Sequence, residues 1–187
     1  MERIRAIVAR SEVPEDALHA ENTLEWVLRL DPESGQAIQV AALAHDIDRA
    51  VGPTKVRRSD YADFDAFKAA HALQGAKILR AILEECGVAG PTIEEACRLV
   101  ELHEVGGDRW SDLLRDADSI SFFEVNLPLY YKREGWEETK RRCIWGYRRV
   151  SARAREIILA LCYEDGTLTA LIDESIRRVP QKDQEAF

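Results

Sequence analysis

Four histidines stand at His19, His45, His71 and His103 of a 187-residue chain, separated by 26, 26 and 32 residues, with none beyond position 103. One has an acid as its neighbour, because the apolar run Val40-Ala41-Ala42-Leu43-Ala44 ends in His45-Asp46. An imidazole and a carboxylate side by side at the end of a buried helix each need a polar partner, and a metal ion satisfies both. Spacings of that size suit one ligand on each of several helices, each roughly 15–20 residues long, around a shared cavity. Taken alone, His45 would be a hydrogen-bonded core histidine; the adjacent Asp46 and the other three histidines turn the reading toward a metal ligand.

His19, the pair His45-Asp46, and Asp118 in Leu114-Arg115-Asp116-Ala117-Asp118-Ser119-Ile120 resemble the H…HD…D signature of the HD superfamily, which are all-helical, metal-dependent phosphohydrolases. His71, in Lys68-Ala69-Ala70-His71-Ala72-Leu73-Gln74-Gly75-Ala76, and His103, in Leu102-His103-Glu104-Val105-Gly106-Gly107-Asp108, resemble the extra ligands of the members with two metals. Those members include cyclic dinucleotide phosphodiesterases and di-iron oxygenases of the same fold. The resemblance covers roughly residues 14–127 and implies a ligand set of His19, His45, Asp46, His71, His103 and Asp118, with Asp46 bridging two ions. Asp116 and Asp118 fall on different faces of one helix, so only one can serve. Asp118 is chosen because the matching stretch ends in alanine and then the ligand; Asp116 remains the alternative. Glu15, four residues before His19, matches an extra ligand of some trinuclear members, against the plainer reading of a solvated first-turn acid. Many members follow the pair with an apolar residue and then Gly-Lys, where this chain has Asp48-Arg49. The phosphate-contacting role then falls to Arg49, whose fork of donors suits it.

The helices that must carry these residues are readable from composition and periodicity. Pro14 to Leu30 starts after Ser11 and stops at Asp31-Pro32. A helix apolar nearly all round, hence buried, is predicted from Pro32 or Glu33 to about Asp48. Periodicity fails from Ala50 to Asp63, where Lys55, Arg57 and Arg58 form a basic cluster directly after the metal pair. That cluster reads either as solvated surface or, with Arg49, as the substrate's phosphate-binding group. Asp63 to Cys86 carries His71, with Gly75 one turn later for close packing and Gly87 as the end. Thr92 and Glu95 are spaced like a capping box for the helix that leads to His103. Glu104 and Asp108 are expected to be solvated loop acids or to steer a metal-bound water. Between Leu127 and Arg155, aromatics interleave with arginines, which suits a partly covering outer layer, a nucleobase-stacking wall or a dimer face. Leu168 to Val179 makes a closing helix, and residues 180–187 a frayed polar tail.

Composition sets the remaining limits. The chain is long enough to bury about 70% of its unfolded surface as one domain, 1–187, with a metal-site core at 14–127 and C-terminal helices at 128–179. It needs no metal merely to fold. A net charge of −8 argues against a nucleic-acid polymer or an anionic membrane as partner. Cys86, Cys97, Cys143 and Cys162 form no Cys-x-x-Cys pair and read as buried free thiols of a cytoplasmic protein. The expected fold is an all-α, single-domain bundle of about seven or eight helices. The expected function is hydrolysis of a small phosphorylated molecule, with Asp46 and Arg49 catalytic and Arg49, Lys55, Arg57 and Arg58 holding the phosphate. Mixed His/Asp ligation suits two divalent ions of Fe, Mn, Co or Zn better than Mg. A di-iron oxygenase of the same fold and a non-catalytic regulatory module are the alternatives.

Overall fold

The computed structural model describes residues 1–52 and 55–177, and among them the chain is all-α with no strand. The helices are α1 (Glu2–Val8), α2 (Asp16–Leu30), α3 (Gln36–Ala44), α4 (Phe64–Glu85), α5 (Gly90–Leu102), α6 (Arg109–Ser121), α7 (Leu127–Arg148), α8 (Ala152–Ala160) and α9 (Gly166–Ile172). No helix among the described residues is long and apolar enough to cross a membrane. The chain forms two compact units, Met1–Asp118 and one that begins at Ser119.

In the first unit, α3 is the central element. Ala41 and Ala44 are fully buried, as are Ala42 and Ile47, with Val40 and Leu43 almost so. From Val40 on, the element has no solvated face, which is what its all-round apolar sequence requires. It is packed by α2 and α5, and α5 in turn lies along α4. Val27 of α2, Ala72, Ala76 and Leu79 of α4, and Ala96, Leu99 and Val100 of α5 fill the space. A fully buried Leu or Val contributes about 1.5–3 kcal/mol relative to exposure, so this core is ample without any bound ion.

Three local details differ from the sequence expectation. Helix α3 stops at Ala44 instead of running to Asp48, because His45 caps it and Asp46 leaves helical geometry (φ −104°, ψ 17°) for a 3-10 turn over Ile47–Ala50. The Thr92/Glu95 capping box does not form, since α5 begins at Gly90 after Ala89 and Glu95 pairs with Arg98 instead. The four thiols are free as expected, but only Cys97 and Cys143 are buried; Cys86 and Cys162 are exposed.

In the second unit, α7 is broken at Gly135, whose φ of 76° is strained for any other residue. The aromatic and basic residues stack on one another there. Arg142 lies over Phe122 at 4.3 Å and over Trp145 at 4.5 Å, and Arg149 over Trp145 at 4.3 Å. Ser151 then caps α8 by accepting from the Ala154 amide. The predicted end of the closing helix, at Val179, and the 180–187 tail lie outside the described residues.

Gly75 has the packing role its position suggests: a Cβ there would sit 3.3 Å from the His45 carbonyl oxygen and 3.4 Å from Val100 Cγ1. Gly75→Val is therefore expected to destabilise the protein by about 1–3 kcal/mol, read from the denaturant midpoint at unchanged m-value. A midpoint equal to that of the parent would mean that α4 can move away from His45 at no cost.

Candidate metal centre

Side chains from five helices or their ends meet inside the first unit. His19 comes from α2, His45 and Asp46 from the end of α3, His71 from α4, His103 from the end of α5 and Asp118 from α6. All six are buried. They form two groups whose facing atoms lie within 4.8 Å of one another: His19, His45 and Asp118, and Asp46, His71 and His103. Within the first group, Nε2 of His19 lies 3.2 Å from Asp118 Oδ1 and 3.1 Å from Nε2 of His45. Within the second, His71 Nε2 lies 2.7 Å from Asp46 Oδ1. Asp46 faces both groups, because its other oxygen lies 3.6 Å from His45 Nε2 and 3.9 Å from His19 Nε2.

Helix termini set the ring orientations. The last carbonyls of a helix have no partner within it, so an imidazole N–H at the C-terminus can satisfy one. His45 Nδ1 donates to the Ala42 carbonyl (2.8 Å) and His103 Nδ1 to the Val100 carbonyl (2.6 Å). Burial pulls His45 down to a pKa of about 4, outweighing Asp46 and Asp118, so the ring is neutral near pH 7. With Nδ1 protonated, Nε2 presents a lone pair to the carboxylates opposite. A buried space walled by lone pairs and carboxylate oxygens calls for a cation, and these nitrogen and oxygen donors fit a divalent transition metal.

The carboxylates and cations beside the donors complete the electrostatics. Burial raises Asp46, yet Arg49, His45 and His71 together hold it well below the usual carboxylate range. Arg49 Nη1 lies 2.7 Å from Asp46 Oδ2 and 3.2 Å from Asp16 Oδ1. Asp16 is also bound by Ser11 Oγ at 2.5 Å, and burial shifts its carboxyl upward against the pull of Arg49. Lysine 68, three residues before His71 on α4, is buried and ion-paired with Glu104, whose Oε1 is 3.0 Å from His103 Nε2.

Two acids expected to be solvated are therefore buried: Glu104 and Glu15, at 7% and 3% exposure. Glu104 joins His103 and Asp118 in a third donor group, whereas Glu15 and Asp116 belong to none of the groups, although Asp116 is buried too. Asp108 is neither a buried donor nor a plain solvated acid: it accepts from the Trp110 and Ser111 amides at the start of α6, and Arg98 helps to hold it at a pKa of about 2. The basic cluster after the metal pair is not drawn into the donor groups. Lys55 pairs with exposed Glu12, Arg58 donates to the Tyr61 carbonyl, and Arg57 is exposed. Lys68, Asp16 and Asp48 are the polar neighbours that sequence reasoning missed. Lys68 and Asp16 left a signal, each standing three residues before a histidine on the same helical face.

Residues 4–172 match the model of a family described as a domain of unknown function, DUF4202. No curated protein and no solved structure matches the chain.

The geometry predicts that the metal-free protein takes up Mn²⁺ or Zn²⁺ and melts higher with it, by the equivalent of about 2.7 kcal/mol when the ion is at 100 times its Kd. His45→Ala and Asp46→Asn should each keep the helical circular dichroism and lose this response. Full metal occupancy in both variants, measured by elemental analysis, would remove the pair from the donor set.

Proposed function

The chain belongs to that family, and from its own residues we propose that it is a metal-dependent phosphohydrolase of the kind its HD-like signature resembles, with two divalent ions bridged by Asp46. The observation that carries this reading is the placement of Asp46, one oxygen toward His71 and the other toward His19 and His45. A carboxylate between two histidine groups is placed so that two cations could share it. Such a pair supplies Lewis acidity, activates a water near neutral pH and clamps the phosphoryl oxygens of an ester.

The chain's own groups do the rest. His19, His45 and Asp118 would hold one ion, and His71 and His103 the other. Arg49 is a partly exposed guanidinium beside the bridging carboxylate. Its fork has five N–H donors, more than Asp46 and Asp16 use, so it can also bind a phosphoryl oxygen. Lys68, which is buried, adds a second positive charge beside His103 through Glu104. Two fixed cations next to a metal centre favour an anionic substrate, which is what supports hydrolysis over the oxygenase chemistry that the same ligand pattern serves. The substrate is a small phosphorylated molecule, a nucleotide among the options, because an acidic chain offers no long basic track for a polymer. Lys55, Arg57 and Arg58 are close in sequence to this centre and would act at its rim.

Protein loaded separately with Fe, Mn, Co and Zn should hydrolyse an aryl phosphate monoester or diester, and a chelator should abolish turnover. Arg49→Ala is expected to lower kcat/KM by about 10²–10³, the usual loss for one preorganised charge-stabilising donor. Arg57→Ala with Arg58→Ala should raise KM more than it lowers kcat. Absence of turnover on any phosphate ester with any metal would sink the hydrolase; oxygen consumption by the iron-loaded protein would then put the oxygenase in its place.

A further inference from the structure

Asp48 is a buried carboxylate, 1% exposed, that the donor groups leave unused. It lies in the 3-10 turn directly after Asp46 and places Oδ1 2.7 Å from Nδ1 of His71. The His71 ring is thereby held between two acids, with Nε2 2.7 Å from Asp46 Oδ1.

The three metal-facing histidines His45, His71 and His103 have the same need and meet it differently. Each must carry its proton on Nδ1 so that Nε2 can offer a lone pair. His45 and His103 cap α3 and α5, where backbone carbonyls are left over to accept that proton. His71 sits inside α4, seven residues past its start at Phe64, where each carbonyl already accepts from the amide four residues on. No backbone acceptor remains at that point, and the Asp48 carboxyl stands in its place. In the pattern this chain resembles, a glycine occupies that position and could not do this.

We propose that Asp48 is a positioning residue for the second ion: it keeps the His71 proton on Nδ1, fixes the ring plane, and makes Nε2 a stronger donor. The carboxylate acts through His71 and touches neither substrate nor water. Through His71, Asp48 acts on the affinity of one ion. The inference rests on the two-ion reading of the centre, with His71 on the second ion.

The test is a chelator-competition titration of the metal-free protein with Zn²⁺ and, separately, Mn²⁺ at fixed pH, with thermal melting of each metal-free variant alongside. The parent protein should bind two ions. Asp48→Asn, which keeps the shape and removes the carboxyl, should weaken one of the two by about 10- to 100-fold and leave the other unchanged. Asp48→Glu should recover part of the loss. Equal affinities for both ions in Asp48→Asn would overturn the inference while leaving the two-ion centre intact. Equal weakening of both ions, alongside a lower melting point, would also overturn it and make Asp48 a folding contact only. A parent protein that binds one ion or none would remove the two-ion reading, and the inference with it. Should Asp48→Asn fail to fold, His71→Gln tests the same step: it should abolish the ion that Asp48 supports, and retention of both ions would overturn the proposal.

Discussion

Acceptor atoms dominate one small buried volume, and that single imbalance organises the first unit of the protein. Asp46, Asp48, Glu104 and Asp118 are all buried, and the imidazoles of His45 and His103 are fixed with their lone pairs toward them. Taking one carboxylate out of water costs several kcal/mol, so four in proximity need positive charge at short range. The protein supplies part of it through Arg49 and Lys68. The remainder is the opening for metal. Helix direction works the same way, because α3 and α5 both end at histidines of the donor groups, whose rings are 5.3 Å apart. Each C-terminus carries about half a negative charge, which favours a cation at the point where they meet.

The clustering of six candidate donors was legible in the sequence because it depends on residue type, order and spacing, which folding into a bundle preserves. His19, His45, Asp46, His71, His103 and Asp118 come from five separate segments, and the structure brings all of them together. Helical phase said only that Asp116 and Asp118 point to different faces; the resemblance chose Asp118, and it is Asp118 that stands in a donor group. The all-α class followed from periodicity. Burial of single polar residues was not legible. Glu104 looks like a loop acid until Lys68, 36 residues earlier, arrives from another helix to neutralise it. Glu15 and Asp16 look like helix-dipole acids at the start of α2, and both are buried. Asp48 became meaningful only when α4 put His71 beside it.

Local signals failed where a competing contact was worth as much. A Thr and a Glu three apart make a capping box only if the helix starts at the Thr. Here the chain turns into α5 two residues sooner, at Gly90, with Pro91 in the first turn, and Glu95 pairs with Arg98. The early end of α3 has the reverse cause. His45 spends its Nδ1 proton on the Ala42 carbonyl, and Asp46 turns out of the helix to face both histidine groups. A helix that ran on to Asp48 would have carried Asp46 about 100° around its axis from His45 and separated the pair.

Alanine is the residue that lets side chains from five segments reach one another. It flanks four of the six ligands in sequence, as Ala20 after His19, Ala44 before His45, Ala70 and Ala72 around His71, and Ala117 before Asp118. All but Ala70 are buried. A small side chain beside each ligand allows the helix backbones to approach closely enough for imidazole rings to come within 4.9–5.7 Å of one another. Gly75 takes this to its limit against the His45 carbonyl. The apolar area given up by these alanines is recovered at other positions of the core, where Leu79, Leu99 and Ile47 are fully buried or nearly so. Enlarging an alanine near a ligand would thus act on the metal site through backbone separation, and enlarging a residue at those other positions would act on stability alone.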